Sequence, residues 1–84
     1  MVIKFTPHAK DKLLRLKAIG VTKEKVIKAI EKPEKLTDGY WKRKIAQSKL
    51  TEDLVLRVIY EELEEDKIVV TIYPAQRRRY ENKI

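Results

Sequence analysis

The sequence predicts an α+β domain with two N-terminal helices packed on one face of a three- to four-stranded antiparallel sheet. Three observations predict it. Two capped amphipathic segments fill the first third of the chain. The rest reads as strands parted by turn residues, and the two longest strands share one apolar face. At 84 residues the chain is one domain, residues 1–84. A chain of this size buries only about 60% of its unfolded surface, so a thin core is expected.

Val2, Lys4 and Thr6 alternate with Ile3 and Phe5, which predicts a short first strand. Thr6-Pro7 reads as an N-cap followed by proline at the first helical position. Ala9, Leu13, Leu16 and Gly20 fall on one stripe with Ile19 beside it, and Gly20 supplies the stop, so a helix is expected over 7–19. Thr22 caps a second helix, stapled by Val21 before the cap and Val26 four residues in. Val26, Ile27 and Ile30 form its apolar face, and Pro33 stops it near Glu31 or Lys32. The short connection Gly20-Val21-Thr22 predicts that the two helices pair as a hairpin.

Asp38-Gly39 is a turn signal, and a strand follows over 40–49. Trp41, within it, is assigned to the core. Thr51-Glu52-Asp53 is the next turn. Strands are expected over 54–63 and 67–73 around a turn at Glu64-Glu65-Asp66. Pro74 either ends the last of these or forces a bulge. Gln76 to Tyr80 reads as a final edge strand. In a hairpin closed at 64–66, residues of equal parity face each other. Leu54, Leu56, Val58 and Tyr60 then share the core face with Ile68, Val70 and Ile72. Val55, Arg57, Ile59, Glu61, Val69, Thr71 and Tyr73 take the face opposite the helices.

The formal net charge is +7, unevenly spread. Residues 1–35 carry ten Lys or Arg against four acids, residues 61–66 hold five acids, and residues 67–84 return to five bases and one acid. A basic domain attracts polyanions, nucleic acid above all. A Lys- and Glu-rich surface with few side-chain amides is equally a thermophile signature. There is no Cys, so neither a disulfide nor a thiolate metal site is available, and an intracellular protein is expected. No apolar run approaches the roughly 20 residues of a membrane span. The expected location is the cytoplasm.

Arg57 stands out because it interrupts the apolar run Val55-Leu56-Arg57-Val58-Ile59. It is paired with an acid such as Glu61, solvated on an open sheet face, or held as a phosphate clamp, presenting a charged planar fork from a rigid strand. His8 is the only histidine and sits at the second position of the first helix. A helix start disfavours positive charge, and a neutral imidazole can take or give a proton near pH 7. Its alternative is an ordinary exposed helix-start residue. Arg77-Arg78-Arg79-Tyr80, with Tyr73 before it, has the Arg-plus-aromatic composition that holds single-stranded RNA. In a strand, Arg77 and Arg79 would share one face and Arg78 the other; as a free tail they would be solvated. Lys42, Lys44 and Lys49 on strand 40–49 would extend the same RNA-binding groove, which Thr71 and Tyr73 line, unless they merely guard an edge strand. One His without Cys makes no metal site. The two glycines form no phosphate loop, so no nucleotide cofactor, and no other cofactor, is expected.

The opening Phe5-Thr6-Pro7-His8-Ala9, two short helices, an apolar hairpin with an inner Arg, and a final Tyr-Pro…Arg…Tyr resemble the RelE/ParE-like toxin superfamily. The similarity is greatest to its small branch that opens with a His-Ala helix, and BrnT toxins are more distant. The resemblance implies a helix-backed sheet that takes RNA on its open face. It implies a metal-independent endoribonuclease, often acting on ribosome-bound mRNA and neutralised by a small antitoxin protein. Arg57 then matches the inner-strand Arg, and Arg77 or Arg79 the Arg of the last strand. Tyr80 matches the C-terminal Tyr loosely, at a shorter spacing. On this reading the catalytic set is His8, Arg57, Arg77, Arg79 and Tyr80. Two alternatives remain: a non-catalytic module binding nucleic acid or protein, and a ParE-like inhibitor of DNA gyrase.

Overall fold

The computed structural model describes residues 2–78. The elements run β1 (Ile3–Phe5), α1 (Pro7–Leu16), a 3₁₀ turn (Lys17–Ile19), α2 (Lys23–Glu31), β2 (Lys35–Asp38), β3 (Arg43–Lys49), β4 (Leu54–Leu63) and β5 (Asp66–Gln76). The sheet order is β1-β5-β4-β3-β2. β1 pairs parallel with β5, and all other pairs are antiparallel.

Both helices form where their caps require. Thr6 Oγ1 accepts from the Ala9 amide at 3.1 Å, with Pro7 next to it at the helix start. Gly20, at φ 94°, ends the 3₁₀ turn in the left-handed region. Thr22 Oγ1 accepts from the Lys25 amide at 3.2 Å. α1 makes its main contacts with β5, and α2 with β3 and β4. Both helices thus seat on the sheet, and their buried residues belong to one core. Ala9, Val21, Val26, Ala29 and Ile30 meet Ala46, Leu56, Val58, Tyr60, Val69 and Ile72 in one core.

The sheet departs from the expected three- to four-stranded antiparallel form: it has five strands and is mixed. β2 is exposed at all four residues, so it carries no alternation of burial for a sequence pattern to report. β1 gains a parallel neighbour only from the far end of the chain. β5 runs through Pro74 to Gln76. The Arg77 amide donates to Asp53 O at 2.8 Å, so the residues of β5 that bond to β4 are the odd ones. Pro74 therefore turns its missing donor outward, where β1 no longer runs. Arg77 and Arg78 then take helical backbone, so the edge strand expected over Gln76–Tyr80 does not form there. Arg79 and Tyr80 lie outside the described residues.

The bulge expected near Pro74 lies instead at Val70. Ile59 pairs with Thr71 but Tyr60 pairs with Val69, so Val70 is an extra residue in β5. This reverses parity for the first half of β5. Val69 enters the core with no exposure, while Ile68 pairs with Glu61 on the other face. Both Ile68 and Val70 had been expected in the core, and Val69 outside it. Thr6 holds the bulge: its amide donates to Val69 O, and its hydroxyl donates to Val70 O, both at 3.1 Å.

Two turns carry backbone strain. In the β2–β3 turn the Arg43 amide donates to Tyr40 O at 3.1 Å, and Trp41 and Lys42 have φ of 61° and 62°. This is a type I′ turn without the Asn-Gly it favours, and each left-handed residue costs on the order of 1 kcal/mol. Asp38 closes β2, so the central pair of the turn lies three residues beyond the expected Asp38-Gly39. Trp41 is 85% exposed on it rather than in the core. Glu64, in the β4–β5 turn, has φ 57°. Glu64→Gly is expected to raise stability by about 0.5–1 kcal/mol, since the relieved strain exceeds the added chain entropy. A urea midpoint that stays level or falls would contradict strain at this turn.

Candidate functional site

The register of the sheet builds rows on the face opposite the helices. Gln47, Arg57 and Tyr73 face each other across β3, β4 and β5. Arg57 Nε donates to the Tyr73 hydroxyl at 2.8 Å, and Arg57 Nη1 donates to Gln47 Oε1 at 2.6 Å. The guanidinium carbon lies 5.8 Å from the centre of the Tyr73 ring. Three strands thereby hold the guanidinium in one plane. Gln47 is 3% exposed, and Val55 on the same face is buried outside the main core.

The next row is Ile45, Ile59 and Thr71. His8, in the first turn of α1, reaches Thr71 at the edge of β5, with Nε2 3.1 Å from Oγ1. The imidazole tautomer sets which atom donates. The Thr6 clamp on Val69 and Val70 fixes where α1 begins relative to β5, and so carries His8 to this place. The third row holds Arg43, Glu61 and Ile68. Arg43 Nε donates to Glu61 Oε2 at 2.8 Å, so the acid considered for Arg57 serves Arg43.

Thr71 thus ties His8 to the face that carries Arg57 and Tyr73. Of the three lysines, Lys49 lies on that face, opposite Val55, and Lys44 is turned away from it. Lys44 belongs to the helix side of β3, where it pairs with Tyr60. Its ammonium donates to Asp38 Oδ1 at 3.2 Å, and that hydrogen bond and charge hold it above the usual lysine range. Lys42 is in the β2–β3 turn. Lys49 lies 3.6 Å from Glu52 in an ion pair. Arg77 has one guanidinium nitrogen buried, while Arg78 is exposed. Comparison with known protein families, with curated proteins and with solved structures returns no match. The site must therefore be judged on its own chemistry.

Gln47 is the residue that sequence reasoning missed. An amide in a strand carries no signal alone. Pairing β3 with β4 about the Thr51–Asp53 turn would have set it opposite Arg57. Among the described residues, no group of three or more His, Asp or Glu is placed to hold a metal ion, and no helix is long and apolar enough to cross a membrane.

Proposed function

We propose that this chain is a metal-independent endoribonuclease of the toxin type, with a RelE-like fold and its reaction site on the face that carries Arg57. The observation that carries this reading is that a proton-transfer group, His8, bonds Thr71 in the row next to the one that rigidly holds the Arg57 guanidinium. The resemblance of the chain to RelE/ParE-like toxins, carried in part by the same residues, supports it too.

In the proposed reaction an RNA 2′-hydroxyl attacks the adjacent phosphorus and the P–O5′ bond breaks. His8 takes the proton from O2′. Water, or the Tyr80 hydroxyl, gives one to the departing O5′. Arg57, and Arg77 or Arg79, balance charge on the phosphorane oxygens, which is greatest in the transition state. Tyr73 spends an oxygen lone pair on Arg57 and keeps its own O–H for a phosphate oxygen. The product is a 2′,3′-cyclic phosphate. A small antitoxin protein covering this face would neutralise the enzyme.

His8→Ala is expected to slow cleavage by roughly 10²–10⁴-fold with RNA affinity little changed. Cleavage and binding assays, with product analysis, test both points. RNA and translating ribosomes left intact by the purified protein would sink the enzymatic reading. RNA binding without cleavage would assign the same face to a non-catalytic module, and inhibited supercoiling would point to gyrase.

A further inference from the structure

The β2–β3 turn shows three features that the cleavage site does not use. Both central residues of the turn, Trp41 and Lys42, hold left-handed backbone that neither side chain favours. Tyr40 and Trp41 are 87% and 85% exposed, the latter being the only tryptophan of the chain. Beside them lies a concavity of about 540 Å³ with Ile45 and Ile59 among its lining residues. That volume lies within the ordinary range of small-ligand sites.

The concavity opens on the Arg57 face. Ile59 is two residues along β4 from Arg57, and Ile45 is two residues along β3 from Gln47. Two strand residues advance about 6.8 Å, the scale of one stretched nucleotide. At the rim, Asp38 is tied to Lys44 and Glu61 to Arg43. Lys42 adds positive charge to those two balanced pairs. Aromatic faces beside an apolar floor and a positive rim suit an unpaired base on a phosphate chain. They suit an apolar protein surface less well.

We infer that this turn and concavity form a base-stacking subsite, in which Trp41 or Tyr40 stacks on an unpaired RNA base neighbouring the phosphate held at Arg57. The inference rests on reading that face as the RNA site, and it adds the substrate class: single-stranded RNA, read by ring stacking rather than by base identity. The strained turn keeps the Trp41 ring beside Tyr40 off the sheet, where a relaxed Asn-Gly pair would present no indole.

The single tryptophan makes the test direct. A single-stranded RNA with 2′-O-methyl groups cannot be cleaved and serves as the probe. Its binding is followed by anisotropy of a label on the RNA and by Trp41 emission. The expected result is quenching of Trp41 that saturates with binding. Trp41→Ala and Tyr40→Ala should each weaken binding by roughly ten- to a hundred-fold. The paired change Trp41→Asn with Lys42→Gly should raise the melting temperature and still weaken binding, which separates lost stacking from lost folding. Binding by anisotropy with silent Trp41 emission and with affinity unchanged in both Trp41→Ala and Tyr40→Ala would overturn the subsite and leave the cleavage reading standing. No RNA binding at all would remove both. Quenching by a protein partner but not by RNA would assign the turn to protein docking and likewise overturn the inference.

Discussion

Arg57→Ala should lower RNA cleavage by about 10²-fold or more, the scale of losing one oriented group that stabilises developing charge. The guanidinium is held by Tyr73 on β5 and Gln47 on β3, so it is already aimed before substrate arrives. Alanine removes the charge together with the fork that fixes it. Arg57→Lys keeps the charge but cannot bond Tyr73 and Gln47 from a planar fork, so it should restore only part of the rate. The alanine change should also cost stability, because Gln47 is buried and would leave Oε1 without its donor. That loss is about 1–3 kcal/mol. Single-turnover cleavage and thermal melting separate the two effects. Arg57→Ala that cuts RNA at the wild-type rate would remove Arg57 from the mechanism. RNA affinity should fall with salt at a log–log slope of about −0.7 per phosphate held, and Arg57→Ala should flatten it by about one phosphate.

Ile72→Ala should destabilise the fold by about 3 kcal/mol, within the usual range for emptying a buried aliphatic site. Ile72 has no exposed surface and pairs with Val58 at the centre of the sheet, beneath the helix layer. Little can collapse into the gap, since sheet pairing holds the floor and two capped helices hold the roof. A domain of this size has a total stability of the order of 5–10 kcal/mol, so the change removes a large share of it. Ile72→Val should cost only about 0.5–1.5 kcal/mol. Urea unfolding measures both, and the urea dependence should keep its slope because the fold is unchanged. Equal losses for the two variants would mean that the site is not close-packed.

Much of the candidate site was legible in the sequence because its members announce themselves locally. Arg57 breaks an apolar strand, and His8 follows a Thr-Pro helix start. That the fold brings His8 to the Arg57 face was not legible. His8 and Thr71 are 63 residues apart, and they touch because β1 lies beside β5 and Thr6 grips the Val70 bulge. Two of the lysines misled for the same reason. Lys42, Lys44 and Lys49 read as one strand, but a turn takes the first and parity sends the second to the helix side.

By itself the sequence determined where the helices start and stop and where β4 runs, since caps, prolines, glycine and a long apolar alternation act within a few residues. Only the tertiary structure decided that β1 lies parallel to β5, that the all-exposed β2 extends the sheet, and that Val69 rather than Val70 enters the core. Those outcomes depend on contacts between distant segments. A single extra residue in β5 exchanges the two faces, and the bulge stands because a threonine hydroxyl more than sixty residues away satisfies its carbonyl. Trp41 followed the same logic. Its neighbours suggested a buried strand, and the closure of the β2–β3 turn put it in solvent.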